Sequence, residues 1–380
     1  MSIPNLLVHF QLPPRQVFDW PPGDASQADF PYTQAKATWL HPIEIPSSVF
    51  RYLADVKAPI TIASVYMMTV ILLNNLNKTR GSRPWTFATT APFNLLVILH
   101  NIFLAVFSAW TLAGLCVVLW NCWPSMSDPN FVARAANTIC QITPTGKLGY
   151  SESPEMLGSM PMTFMEHPNH IWSAGVGYFS WLFYISKFYE VVDTFIILAK
   201  GKQSSFLQTY HHAGVMLCMW ASVRYASPPA LVGILLNSTI HTLMYTYFSI
   251  TALGFRVPVS IKRSLTTLQI GQFLLGGAIA VCYLFIGYDI STSQVTNIEG
   301  GRLTQSNYSK VQPVMSNHSD NISSVPVAEP VFEVQATPCL QNSGQTLALF
   351  VTLVYLAPLI YLFASFFSRS YVKRVRKLES

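Results

Sequence analysis

Runs of apolar residues long enough to cross a bilayer recur along this chain, and three of them carry histidine. A helix rises about 1.5 Å per residue, so the ~30 Å hydrocarbon core takes roughly 20 apolar residues to cross. Such runs lie at 58–76, 93–119, 171–195, 206–223, 229–253, 265–288 and 346–367. Hydrophobic residues make up 51% of the 380 and charged residues 11%, with a mean hydropathy of +0.35. Soluble domains carry about a quarter charged residues, so a cytosolic globular enzyme is excluded. The pattern predicts an all-α, polytopic membrane protein with seven transmembrane helices. No charged n-region precedes an apolar h-region in residues 1–58, so no cleavable signal peptide is expected and the first span inserts itself.

Lysine and arginine predict the orientation. Lys78, Arg80 and Arg83 follow the first span, Lys200 and Lys202 the third, Arg256, Lys262 and Arg263 the fifth. Arg369, Lys373, Arg374, Arg376 and Lys377 follow the seventh. That places the C-terminus in the cytosol and the N-terminus on the luminal or outer side. The acceptor sequons at Asn307, Asn317 and Asn321 share the loop between the sixth and seventh spans, which this orientation makes non-cytosolic, as N-glycosylation requires. The sequons at Asn77 and Asn237 are expected to stay unmodified. The net charge of +6 reflects the positive-inside bias, and the same face suits a polyanionic head group.

The chain divides into a luminal segment 1–57, with a short interfacial helix within 41–57, and a core of six spans at 58–288. A polar, glycosylated loop at 289–345 follows, expected to be disordered because it lacks helical periodicity. The seventh span at 346–367 and a basic cytosolic tail at 368–380 complete it. Of the six cysteines, Cys116, Cys218 and Cys282 lie in spans as small apolar packers. Cys122, Cys140 and Cys339 fall on the luminal side, where disulfides form, and their connectivity stays open.

Ionisable groups at membrane depth cost several kcal/mol each, so they turn inward and mark functional sites. At helical spacing, Lys187, Glu190 and Thr194 share one face, with Asp193 close by. Gln208, His211 and His212 share another, and Asn237, His241 and Tyr245 a third. His100-Asn101 adds a polar pair in the second span. Asn101 or Gln269 alone is equally explained by interhelical hydrogen bonding, and Met244 and Tyr247-Phe248 read as cavity lining. Five of the nine histidines (His9, His41, His167, His170 and His318) fall outside the spans. The remainder is too few for a di-iron histidine-box oxygenase, and no metal is expected. A seven-span receptor shares the topology but has no reason to bury adjacent histidines. Acyl chemistry suits the set better. Neutral imidazole, with a pKa of about 6.5, is a nucleophile and base near neutral pH, and amide or tyrosine donors stabilise an oxyanion or enolate.

K-F-Y-E-V-V-D-T at 187–194, F-L-Q-T-Y-H-H at 206–212, N-S-T-I-H-T-L-M-Y-T-Y-F at 237–248 and T-T-L-Q-I-G-Q-F at 266–273 follow in order. This ordered set resembles the very-long-chain fatty acid elongase family, the membrane 3-oxoacyl-CoA synthases of the endoplasmic reticulum. The likeness covers roughly residues 45–288 and 346–375. It implies seven spans, six of them enclosing an acyl-chain tunnel in a barrel. It also implies condensation of a long-chain acyl-CoA with malonyl-CoA to 3-oxoacyl-CoA, coenzyme A and carbon dioxide.

By position, His211 would carry the acyl group as an acyl-imidazole, and His212 and His241, with Gln208 and Asn237, would complete the catalytic set. Lys187, Glu190, Asp193, Thr194, His100, Asn101, Met244, Tyr245, Gln269 and Gln272 would line the substrate site. Lys200, Lys202 and the basic tail would meet the CoA head groups. The resemblance implies no cofactor beyond the two CoA substrates, contact with membrane lipid, and no nucleic acid. Its implied partners are the other enzymes of the cycle (3-oxoacyl-CoA reductase, dehydratase and enoyl-CoA reductase), with homodimer formation left open. The family's box is H-x-x-H-H, but its first position here is Gln208. That substitution also resembles an elongase branch of lower eukaryotes with polyunsaturated-substrate enzymes. A glutamine hydrogen-bonds but does not shuttle protons. The loop 289–345 is the second departure from the family pattern.

Overall fold

Helices form over the apolar runs, and the computed structural model shows where each one stops. It describes residues 6–23, 38–142, 171–294, 297–299, 302–304 and 331–372, and the chain is mostly helical. A short amphipathic helix, α1 (Ser47–Ala54), buries Phe50 and Ala54 and leaves Tyr52 exposed. α2 (Lys57–Thr79) and α3 (Ala91–Cys122) follow. The Thr90 hydroxyl caps α3 by accepting from Phe93 N, satisfying one of the four orphaned amides of a helix start. α4 (Phe131–Cys140) was not anticipated from hydropathy.

The run expected as one span at 171–195 is interrupted. It opens in a wide turn at Trp172–Val176, where Gly175 has φ +142° and lies so close to Val118 that a Cβ would stand 2.8 Å from its Cγ2. α5 (Gly177–Tyr189) follows, then α6 (Val192–Ala199). Between them the backbone tightens: Asp193 N donates to Glu190 O and Thr194 N to Val191 O, three residues back rather than four. That tight turn rotates Asp193 and Thr194 relative to Lys187.

α7 (Phe206–Arg224), capped by Ser205, is followed by α8 (Pro229–Ala252) and α9 (Val259–Cys282). α10 (Ser343–Phe367) is capped by Asn342, whose side chain accepts from Gln345 N. By length and composition α2, α3, α9 and α10 suffice to cross a membrane; α5 to α8 carry most of the polar groups. α2 packs on α7, α7 on α10, α10 on α9, α9 on α8 and α8 on α3, while α5 contacts α3, α7 and α8. The largest core cluster centres on Tyr178, Phe179, Trp181, Phe183 and Tyr184 of α5. Gly114 of α3 lets the Phe179 ring approach, for a Cβ there would fall 2.0 Å from its Cζ.

Two expectations are corrected at the far end of the bundle. The apolar run to 288 stops being helical at Cys282, and segment 289–345 is not wholly without regular structure. β1 (Val8–Phe10), β2 (Ile286–Gln294) and β5 (Val331–Pro338) form an antiparallel sheet in the order β1-β2-β5. Tyr288 pairs with Val8 on one side and Thr337 on the other. β3 (Asn297–Glu299) and β4 (Arg302–Thr304) pair as a small hairpin. Ile286, Tyr288 and Ile290 alternate with Gly287 and Asp289, the period-two pattern of a half-buried strand, which a hydropathy average hides. A Cys140–Cys339 disulfide joins the end of α4 to the residue after β5, and Cys122 is a free thiol. This resolves the pairing left open above. The expected glycosylation sites Asn307, Asn317 and Asn321, and the tail beyond Val372, lie outside the described residues.

Because the bridge joins residues 199 positions apart, its loss restores much denatured-state entropy, roughly 2–4 kcal/mol. Cys140→Ser is expected to lower the melting temperature in detergent and to leave Cys339 open to alkylation without reductant. Alkylation of Cys339 in the unreduced wild type would contradict the pairing.

Candidate active site

Lys187, at the last turn of α5, is 1% exposed, and a buried ammonium needs a counter-charge. Glu190 supplies it, with Oε1 2.7 Å from Lys187 Nζ. The same oxygen accepts from Ser186 Oγ and lies 3.9 Å from His241 Nδ1 on α8. Lys187 Nζ also donates to Asn237 Oδ1 at 3.4 Å and stands 3.9 Å over the Phe183 ring. α5 is therefore fastened to α8 by one charge pair and its neighbours. Glu190 Oε2 is buried with no partner among the described residues.

The tight turn after Glu190 directs Asp193 and Thr194 to different neighbours. Asp193 Oδ2 accepts from Tyr245 Oη of α8 at 2.6 Å, and Asp193 Oδ1 meets His100 Nε2 of α3 at 2.9 Å. The other ring nitrogen of His100 lies 3.1 Å from Tyr189 Oη. A neutral His100, donating from Nε2 and accepting at Nδ1, satisfies both bonds. Thr194 joins α2 and α7 instead: its hydroxyl is 2.9 Å from Tyr66 Oη and accepts from Gln208 Nε2 at 3.5 Å. The shared face expected for Lys187, Glu190 and Thr194 thus holds for the charge pair, while Thr194 turns away.

On α7 the two adjacent histidines face different surroundings. His212, 4% exposed, has Nε2 2.9 Å from Gln208 Nε2, so the amide donates and the ring accepts. Its Nδ1 has no partner among the described residues. His211 turns toward α10, with Nδ1 2.7 Å from Tyr355 Oη. It borders a cavity of about 120 Å³ between α7, α8, α9 and α10. Asn237 and Gln272 also border this space, whose remaining wall is mostly apolar, including Val215, Met219, Leu236 and Phe273. From His211 the lining runs along α7 as far as Ser222, a length of about 16 Å at 1.5 Å per residue.

His212 and His241 are not on that lining; His241 connects to it by way of Glu190, Lys187 and Asn237, while the contacts of His212 run to Gln208 and on to Thr194. Gln269 Nε2 contacts Met244 Sδ at 3.2 Å, and Asn101 is buried on α3 beside His100. Lys200 and Lys202 have no side-chain hydrogen bond or ion pair to the network among the described residues; Lys202 is exposed beyond the end of α6. Among the described residues no three His, Cys, Asp or Glu side chains converge as metal ligands would. Sequence reasoning missed Tyr355, Tyr66 and Tyr189. Tyr355 was legible only as a hydroxyl inside the apolar run V-T-L-V-Y-L-A-P at 351–358.

The model of the ELO: GNS1/SUR4 family matches residues 51–379. Similar curated proteins include fatty acid elongase 2 of Trypanosoma brucei brucei, 32% identical over 133 residues, which are 35% of this chain and 49% of that protein. Long chain fatty acid elongase 2 of Caenorhabditis elegans is 30% identical over 148 residues, 37% of this chain and 52% of that protein. Very long chain fatty acid elongase 4 of Homo sapiens is 35% identical over 114 residues, 29% of this chain and 36% of that protein. The chain thus spans about half or less of the length of these relatives. No solved structure matches it.

Tyr245→Phe removes a donor from a carboxylate inside the bundle and is expected to lower stability by about 1–3 kcal/mol. Combined with Asp193→Asn, the loss should be smaller than the sum of the two single losses, because both remove the same bond. Thermal unfolding of the four proteins in detergent checks this, and strict additivity would contradict the bond.

Proposed function

The chain belongs to the ELO: GNS1/SUR4 family, the fatty acid elongases, and from that premise we propose that it condenses a long-chain acyl-CoA with malonyl-CoA. The products are a 3-oxoacyl-CoA, coenzyme A and carbon dioxide. The observation that carries this reading is His211 at the edge of the long, mostly apolar cavity between α7, α8, α9 and α10. An acyl chain fills such a space by the hydrophobic effect, at about 0.8 kcal/mol per buried methylene, and brings its thioester carbon to the imidazole.

An imidazole nitrogen of His211 attacks the thioester carbonyl, the C–S bond breaks, and coenzyme A leaves with a proton. The product is an acyl-imidazole. Malonyl-CoA then loses its carboxylate as carbon dioxide, and the electron pair of the broken C–C bond passes to the enolate. The enolate carbon attacks the acyl carbonyl and breaks the C–N bond, and the departing imidazole takes up one proton, replacing the one that left with coenzyme A, which restores neutral His211. Asn237 and Gln272, whose side chains border the cavity, are the donors for the oxyanions that develop. His241, beside Glu190, moves protons, and His212, oriented by the Gln208 amide, is a second base.

The seven spans correspond to α2, α3, the α5–α6 pair, α7, α8, α9 and α10, arranged around the acyl tunnel in the membrane of the endoplasmic reticulum. The basic loops after α2 and α6 lie together, for Trp85 N donates to Ala199 O and Asn77 Nδ2 to Leu198 O. This supports one cytosolic face, where Lys200, Lys202 and the basic tail meet the CoA phosphates. The 3-oxo product is then consumed by a reductase, a dehydratase and an enoyl-CoA reductase in turn.

His211→Ala is expected to abolish chain extension in microsomes supplied with labelled malonyl-CoA and a long-chain acyl-CoA. Extension near the wild-type level would overturn the assignment.

A further inference from the structure

Two loops at the same end of the bundle, 80–90 between α2 and α3 and 200–205 between α6 and α7, are bound into one clasp. Asn77, fully buried near the end of α2, donates from Nδ2 to the carbonyls of Leu198 at 2.8 Å and Lys202 at 3.1 Å. Trp85 Nε1 donates to Asn77 Oδ1 at 3.1 Å, and Trp85 N to Ala199 O at 3.0 Å. One turn earlier Asn74 and Ser204 exchange two bonds, Nδ2 to the carbonyl at 3.1 Å and amide to Oδ1 at 2.8 Å. Gly201, with φ +73°, lies so close to the other loop that a Cβ would stand 2.5 Å from the Arg83 carbonyl oxygen.

What the clasp gathers is charge of one sign. Arg80 lies on the Trp85 ring, its guanidinium carbon 4.0 Å from the ring centre. Arg83, Lys200 and Lys202 adjoin the Gly201 contact, and Lys78 precedes Arg80 by two residues. No Asp or Glu occurs in residues 58–127 or 194–288, and none of these cations is ion-paired among the described residues. Cations brought together without an acidic partner repel one another, and a bound anion removes that cost. A guanidinium held flat on an aromatic face keeps its planar fork in one orientation, and that fork matches phosphate oxygens in pairs.

We infer that the clasp is a phosphate-binding site, with the Arg80 guanidinium on Trp85 as its recognition element and Lys200 and Lys202 as flanking charges. The phosphates of CoA and of an anionic lipid head group share this chemistry. The inference deepens the proposed function, which brings CoA to this face, and rests on it only for the source of the phosphate.

The test is isothermal titration of full-length protein in phosphatidylcholine nanodiscs. Its ligands are CoA, pantetheine (which keeps the thiol arm and lacks every phosphate) and a short-chain phosphatidylinositol phosphate. Wild type is expected to bind CoA or the lipid, and Arg80→Gln to bind that ligand at least about tenfold more weakly. Pantetheine should bind the two proteins equally. A loss confined to CoA identifies the substrate as the phosphate source, and a loss confined to the lipid identifies the membrane. Arg80→Lys keeps the charge without the planar fork and should recover only part of the affinity; it decides the matter if Arg80→Gln fails to fold. Four results would overturn the site: no binding of either phosphate ligand by wild type, equal affinity in Arg80→Gln, an equal loss for pantetheine, or full affinity in Arg80→Lys. Arg80-dependent phosphate binding in a wild type that makes no condensation product would sink the elongase reading and keep the site. Condensation by wild type with unchanged binding in Arg80→Gln would do the reverse.

Discussion

A buried ammonium must be neutralised by a partner, and Lys187 with Glu190 is the pair on which the polar interior of this bundle depends. The pair fastens the end of α5 to α8 through Asn237 and His241. It also coincides with the tight turn from α5 into α6, which sends Asp193 toward α3 and α8 and Thr194 toward α2 and α7. Removing one partner of such a pair leaves an uncompensated charge, at a cost of about 3–5 kcal/mol. Four helices, α2, α3, α7 and α8, are thereby registered around the turn between α5 and α6 by side chains spaced a few residues apart.

The interior divides into two regions with different chemistry. One is a set of polar clusters in which His100 and His212 are hydrogen-bonded to carboxylate, tyrosine and amide partners and His241 lies 3.9 Å from Glu190. The other is the mostly apolar cavity bordered by His211, Asn237, Gln272 and Tyr355. The adjacent residues His211 and His212 are about 100° apart around α7, so neighbours in sequence serve separate regions. That division supports the proposed condensation: His211 borders the mostly apolar cavity, and the other histidines of the interior lie behind it.

The apolar periodicity made most helices legible, with α7 and α8 read to within a residue of their ends. It also made the polar stripes on α7 and α8 visible, because an ionisable side chain in an apolar run has few explanations. What was not legible depended on partners far away in sequence. The break at Glu190–Val191 involves only helix-forming residues and shows in their hydrogen bonds, not in their types. β2 is hidden by its polar alternate residues and finds its partners near residues 8 and 337. Gln208 was expected to hydrogen-bond without shuttling protons; which partner its amide takes, His212, only the structure shows. Tyr355 comes from the last helix, 144 residues from His211, and no local pattern joins the two.

The central claim is that His211 forms a covalent acyl intermediate at the edge of the cavity. Its most direct measurement is the peptide mass after purified protein is incubated with a long-chain acyl-CoA in the absence of malonyl-CoA. The account predicts one acyl mass on the peptide containing His211, removed when malonyl-CoA is added. An unmodified peptide under conditions where the same preparation turns over both substrates would contradict it.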